Sequence, residues 1–238
     1  MGGRGEPSER QTFSSLEIRV LASPGTNDHE VRFLADGEDL IRRSWGEVLL
    51  GLDPDHILIR TSQLYATERP HDATIARCGC GFVECGSEDV RVNRSAGAIQ
   101  WTIRHPRRAF RFPERVYDEE VERAVNDTSW ETPDRTAARI VRDSVDAASL
   151  ARHRLVFDWA SARNRKARLT MSLRLEPGPY QILVHLPFRD ETPQTVAGAA
   201  LALLSQDPTS WSNVEWNPQE EDLGEPSIAG QGWRGSAS

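Results

Sequence analysis

Three cysteines fall within the segment Cys78-Gly79-Cys80-Gly81-Phe82-Val83-Glu84-Cys85, the densest gathering of chemistry-bearing side chains in the chain. In an extended backbone Cys78 and Cys80 point to the same side. Gly81 to Glu84 has the length of a hairpin loop, which would return Cys85 to face that pair, and Gly79, Gly81 and Gly86 allow the close turns. Thiolates gathered in this way suit a structural zinc, which takes four sulfur or nitrogen donors in a tetrahedron, with His71 or His105 supplying the fourth. The spacing is C-x-C-x4-C rather than C-x2-C, and there is no second cysteine pair. Two other readings therefore stand beside zinc: three reduced thiols packed as small apolar groups, or a reversible Cys80–Cys85 disulfide that leaves Cys78 odd. A nucleophilic thiol would need a base and an electropositive setting. Arg77 and Arg91 favour that setting, and Glu84 and Glu88 oppose it.

Three further groups are weighed as sites. Trp130 stands just ahead of a helix start with Asp134 and Arg135, where unpaired backbone N–H groups can hold an anion; hydrophobic anchoring of the chain by Trp130 is the competing reading. His185 falls on the opposite strand face from Tyr180, Ile182, Val184 and Leu186, as an acid–base group if that face is a groove and as a surface histidine otherwise. Asp118, Glu119, Glu120 and Glu122 read as a solvated helix face. There is no G-x-S-x-G, H-E-x-x-H, phosphate-loop, EF-hand or kinase motif.

The elements that must position these residues are strands and helices kept apart in the sequence. Leu16, Ile18 and Val20 alternate with polar residues, as do Val31 and Phe33 before the turn Asp36-Gly37, which reads as a hairpin. Asp53-Pro54-Asp55 fits a turn or a one-turn helix start, and His56 to Arg60 a short strand. Val90 and Val92, then Ile99, Trp101 and Ile103, flank Ser95-Ala96-Gly97 as a second hairpin. Tyr117 to Asn126 has helical spacing. A second helix starts with Thr132 as cap, Pro133 and Asp134, with Ala137, Ile140, Val141, Ser144, Val145 and Ala148 on its inner face. Leu155–Trp159, Leu169–Leu175 and Tyr180–Leu186 alternate strictly and predict a three-strand meander, followed by a helix over 193–205. The expected class is α+β: antiparallel sheets, with N-terminal hairpins and a C-terminal three-strand meander, two central helices and one C-terminal helix. The expected organisation is a loose tail at 1–14, a mostly-β region at 15–112, an α+β region at 113–216 and an irregular tail at 217–238, in which Trp233 has the character of a docking residue.

Composition narrows the function classes. The 238 residues carry a net charge of −7, so the basic footprint of a nucleic-acid binder is missing. The longest apolar run, Val196 to Leu204, is nine residues, where a spanning helix needs about twenty. The N-terminal residues have no apolar core of the secretory kind, and the expectation is a cytoplasmic protein with neither nucleic acid nor membrane as partner. Of the 29 Lys+Arg residues all but Lys166 are arginine, a bias that reads as a high-GC genome rather than as phosphate recognition. The cysteine segment, the strands ending in Trp101, the stretch Ser129-Trp130-Glu131-Thr132-Pro133-Asp134-Arg135-Thr136 and Val184-His185-Leu186-Pro187 together resemble a group of uncharacterised actinobacterial proteins, over most of residues 16–234. That resemblance implies a single conjoined unit and carries no activity. The acidic surface, the seven tryptophans and the missing catalytic motifs point to a non-catalytic protein that binds a macromolecule, a protein above all, in an accessory or immunity-like role. The alternative is a hydrolase or transferase of unfamiliar type using the cysteine cluster or a pocket of His185 and Trp130.

Overall fold

A computed structural model describes residues 9–22, 28–79, 86–161, 168–220 and 223–235. The chain divides into two compact units, Met1–Trp130 and Glu131–Ser238, each with its own apolar core. The class is α+β, with mostly antiparallel sheets and six helices among the described residues rather than the three the periodicity gave. None of those helices is long and apolar enough to cross a membrane.

The first unit holds strands β1 (Glu9–Thr12), β2 (Leu16–Leu21), β3 (Glu30–Ala35), β4 (Glu38–Asp39), β5 (Leu49–Gly51), β6 (His71–Cys78), β7 (Ser87–Ser95), β8 (Ala98–Ile103) and β9 (Arg108–Pro113). Its helices are α1 (Leu40–Trp45), α2 (Pro54–Ile57) and α3 (Glu114–Asn126). Six strands run β1-β9-β8-β7-β6-β5, and β2-β3-β4 form a separate small sheet. Both expected hairpins are present. Their turns place Asp36 and Gly37, and Ala96 and Gly97, at positive φ, the left-handed backbone that a tight two-residue hairpin needs. Phe33, Trp101, Phe112 and Tyr117 pack edge-on or tilted in the core.

Several expectations are corrected here. Residues 9–14 are not a loose tail: β1 pairs parallel with β9, and Phe13 is buried against Phe110 and Phe112. His56 to Arg60 is not a strand, because Asp53 caps α2 by accepting from Asp55 N. The division falls after Trp130 rather than near residue 113, since Tyr117, Val121 and Ala124 of α3 bury themselves in the first core. The carboxylates of α3 are not merely solvated. Asp118 holds Arg94 of β7, Glu120 takes the outward N–H of Ile18, and Glu122 accepts from Tyr65, so the helix is fastened along the face the sequence assigned to water.

The second unit comprises α4 (Pro133–Ser144), α5 (Ala147–Ala151), β10 (Leu155–Ser161), β11 (Arg168–Leu175), β12 (Tyr180–Pro187), α6 (Pro193–Leu204), β13 (Val214–Pro218) and β14 (Trp233–Gly235). The expected meander β10-β11-β12 is extended by β13, antiparallel to β12, and by β14, parallel to β13. Leu169, Met171 and Leu173 of β11 and Ile182 and Val184 of β12 bury the face that meets Ala137 and Val141 of α4 and Val196, Ala197 and Ala200 of α6. The single long helix expected after Thr132 is two. Val145 turns extended, and Asp146 caps α5 by accepting from Ala148 N and Ser149 N. Thr132 makes no cap bond of its own; its hydroxyl goes to the Asp134 carboxylate. The region from 217 onward is not wholly irregular, because Trp233 stacks on Trp211 at 6.1 Å and donates from its indole to Pro208 O at 3.0 Å.

Candidate functional site

The face of the five-stranded sheet opposite its helices is polar. Alternation puts Arg168 and Thr170 of β11, His185 of β12, Glu215 of β13 and Arg234 of β14 on that face. Strand pairing then brings them together: Thr170 sits opposite His185, and Glu215 opposite Arg234. Arg168, His185, Glu215 and Arg234, but not Thr170, border a cavity of about 560 Å³, together with Pro187, Arg189, Ser212, Asn213, Gln231 and Gly232 among others, a size that suits a small ligand.

His185 is only 6% exposed, a buried residue rather than a surface one. Its Nδ1 lies 3.0 Å from Thr170 Oγ1, and its Nε2 lies 3.4 Å from Glu215 Oε1. The same carboxylate oxygen is 4.0 Å from Arg168 Nη1, and the Glu215 side chain remains 43% exposed. Arg168 Nε is buried and has no hydrogen-bond partner among the described residues. Three guanidiniums and one carboxylate on the cavity wall leave it net positive even with His185 neutral. Arginine suits such a wall, because its planar fork matches oxyanions.

The far rim depends on close backbone approach. A Cβ on Gly230 would lie 1.9 Å from Thr209 O, and one on Gly232 would lie 2.6 Å from Trp211 O. Glycine at both positions lets the chain run against that loop and deliver Trp233 inward and Arg234 outward. Asn213, at φ 57°, turns the opposite side of the rim, and its carbonyl accepts from His185 N at 3.1 Å.

The residues singled out from sequence are distributed as follows. Cys80 and Cys85 lie outside the described residues. Cys78 ends β6, bonded through its N–H to Gly86 O at 2.7 Å. His71 begins the same strand, and seven steps at about 3.3 Å place it roughly 23 Å away, so His71 is not the fourth ligand of a site at Cys78. Its ring is instead held at Gln63 O, 2.7 Å from Nε2. His105 follows β8 at the His71 end of the sheet, since Thr102 aligns through Arg91 with Asp72, and it is excluded on the same ground. Among the described residues no three His, Cys, Asp or Glu side chains are grouped for a metal.

Trp130 belongs to the first unit, and Asp134 and Arg135 to the second. The Trp130 indole donates to Asp127 O at 2.7 Å, its ring meets His29 edge-on, and it lines a smaller cavity beside β2 with Arg123 and Asp127. The cavity at His185 is lined by second-unit residues, and the one at Trp130 by first-unit residues. Arg135 is fully buried rather than presented at the helix start. Sequence reasoning missed Arg168, Arg189, Glu215 and Arg234. Alternation already puts Arg168 on the face away from the core, but nothing local pairs β13 with β14. No family model, curated protein or solved structure matches the chain.

Proposed function

We propose that this chain is a cytoplasmic, non-catalytic binding protein of the accessory or immunity-like kind, and that its second unit grips an anionic group of a protein partner. The observation that carries this reading is the gathering of Arg168, Arg189 and Arg234, with one carboxylate, around an open cavity of about 560 Å³. A concave surface of one sign draws the opposite charge and raises association rates at low salt. Because the chain as a whole is at −7, this basic hollow is a local exception that orients the partner. The test is calorimetric titration of the full chain with an acidic peptide and with inorganic phosphate. The parent is expected to bind at least one of the two, with at least a tenfold loss in the Arg168→Ala/Arg234→Ala variant at unchanged circular dichroism. No binding of any anion sinks the reading.

One observation favours the enzymatic alternative, a hydrolase or transferase: His185 has a carboxylate at 3.4 Å in a cavity, a pairing that acid–base catalysis uses. Against it, both ring nitrogens face protein groups. Turnover of an aryl phosphate that His185→Ala abolishes would establish that alternative. A structural zinc on Cys78, Cys80 and Cys85 stands as a separate proposal, without His71. It is checked by elemental analysis with a thiol count.

A further inference from the structure

We infer that the anion this cavity takes is a phosphate group still carrying a proton, its charge met by Arg168, Arg189 and Arg234 and its P–OH donated to the Glu215 carboxylate. The inference rests on the anion-binding reading above and adds the identity of the group.

The reason lies in the carboxylate. A wall built only to neutralise an oxyanion would have no carboxylate on it, yet Glu215 lines the cavity among the arginines. Its nearest approaches are long, 3.4 Å to His185 Nε2 and 4.0 Å to Arg168 Nη1, and the side chain is 43% exposed, so the carboxylate retains capacity to accept. An acceptor there opposes sulfate and carboxylate ligands, which at neutral pH offer only acceptors of their own. It rewards an oxyanion that can donate, through a charge-assisted O–H···O⁻ bond of about twice the ordinary strength. Hydrogen phosphate donates and also accepts from the guanidiniums. The arginine-rich composition accounts for how many arginines the chain has, but not for three of them lining one hollow that also holds a carboxylate. The ionisable groups facing the ligand are Arg168, His185, Arg189, Glu215 and Arg234.

The shared chemistry is a protonated phosphate, whether the free ion or a monoester displayed by a partner, and the test separates the two. The full chain is titrated calorimetrically with inorganic phosphate, methyl phosphate and sulfate, above and below about pH 6, where a monoester loses its last proton. Above that pH, inorganic phosphate is expected to bind at least about tenfold tighter than sulfate or methyl phosphate, since a site built to bond a ligand hydroxyl rejects an analogue lacking it. Below it, methyl phosphate rejoins inorganic phosphate if a displayed monoester is the ligand, and stays weaker if the free ion is; both patterns support the inference. In Glu215→Gln, whose amide donates as well as accepts, sulfate gains and the discrimination collapses to within about threefold. Equal binding of all three anions above pH 6 by the parent overturns the inference and leaves the anion-binding reading standing. Binding of none overturns that reading itself.

Discussion

Asp36 shows how much one side chain can hold. It occupies the first position of the β3–β4 turn at φ 48°, and Oδ1 accepts from Ser14 Oγ at 2.8 Å, Ser15 N at 2.8 Å and Ser15 Oγ at 2.9 Å. These bonds, those from the Ser14 hydroxyl and backbone foremost, favour the charged form and lower its pKa from 3.8 to about 2. A carboxylate whose folded pKa is depressed contributes stability above its unfolded value, lost as pH falls through the folded one. Asp36→Asn keeps a residue that tolerates left-handed backbone but removes the charge. The stability gap between parent and variant is therefore expected to be widest above about pH 3.8 and to close as pH falls to about 2. Urea unfolding at stepped pH measures it, and a gap that stays constant refutes the assignment. The turn itself is plain in the sequence as Asp36-Gly37. The serines that reach it are not, because they are more than twenty residues away along the chain.

Among the elements, β14 is one of the shortest and the one on which the cavity most depends. It has three residues, pairs parallel with β13, and is anchored by Trp233 stacked on Trp211. Parallel pairing cannot be made by a tight hairpin and needs a crossing connection, so the strand is held by that anchor and by the close approach at Gly230 and Gly232. Truncating a buried aromatic of this size costs about 3–5 kcal/mol. Trp233→Ala is expected to lower the unfolding midpoint and, by freeing the strand that carries Arg234, to abolish phosphate binding. Thermal melts and calorimetry on the same sample check both. A variant that melts and binds like the parent would show that β14 does not build the site. By contrast β11 was legible without its neighbours: Leu169, Met171, Leu173 and Leu175 alternate without a miss, and all four are buried.

At the scale of the whole molecule, two cores in one chain predict two unfolding events. Calorimetric heating is expected to resolve two transitions, with Trp233→Ala moving one and leaving the other. A single transition shifted as a whole by that substitution would refute independent cores. What the sequence by itself determined is whatever a short window can express. It set the α+β class, the two N-terminal hairpins through their turn residues, the meander through its period of two, and the position of His185 on the side of its strand away from the core. Tertiary structure alone decided which strands became neighbours: β1 beside β9, β14 beside β13, and α3 within the first unit rather than the second. The cavity belongs to that second class of facts. Alternation fixes which face a side chain takes but not what lies beside it, so Arg168, His185, Glu215 and Arg234 become one site only when β11, β12, β13 and β14 pair.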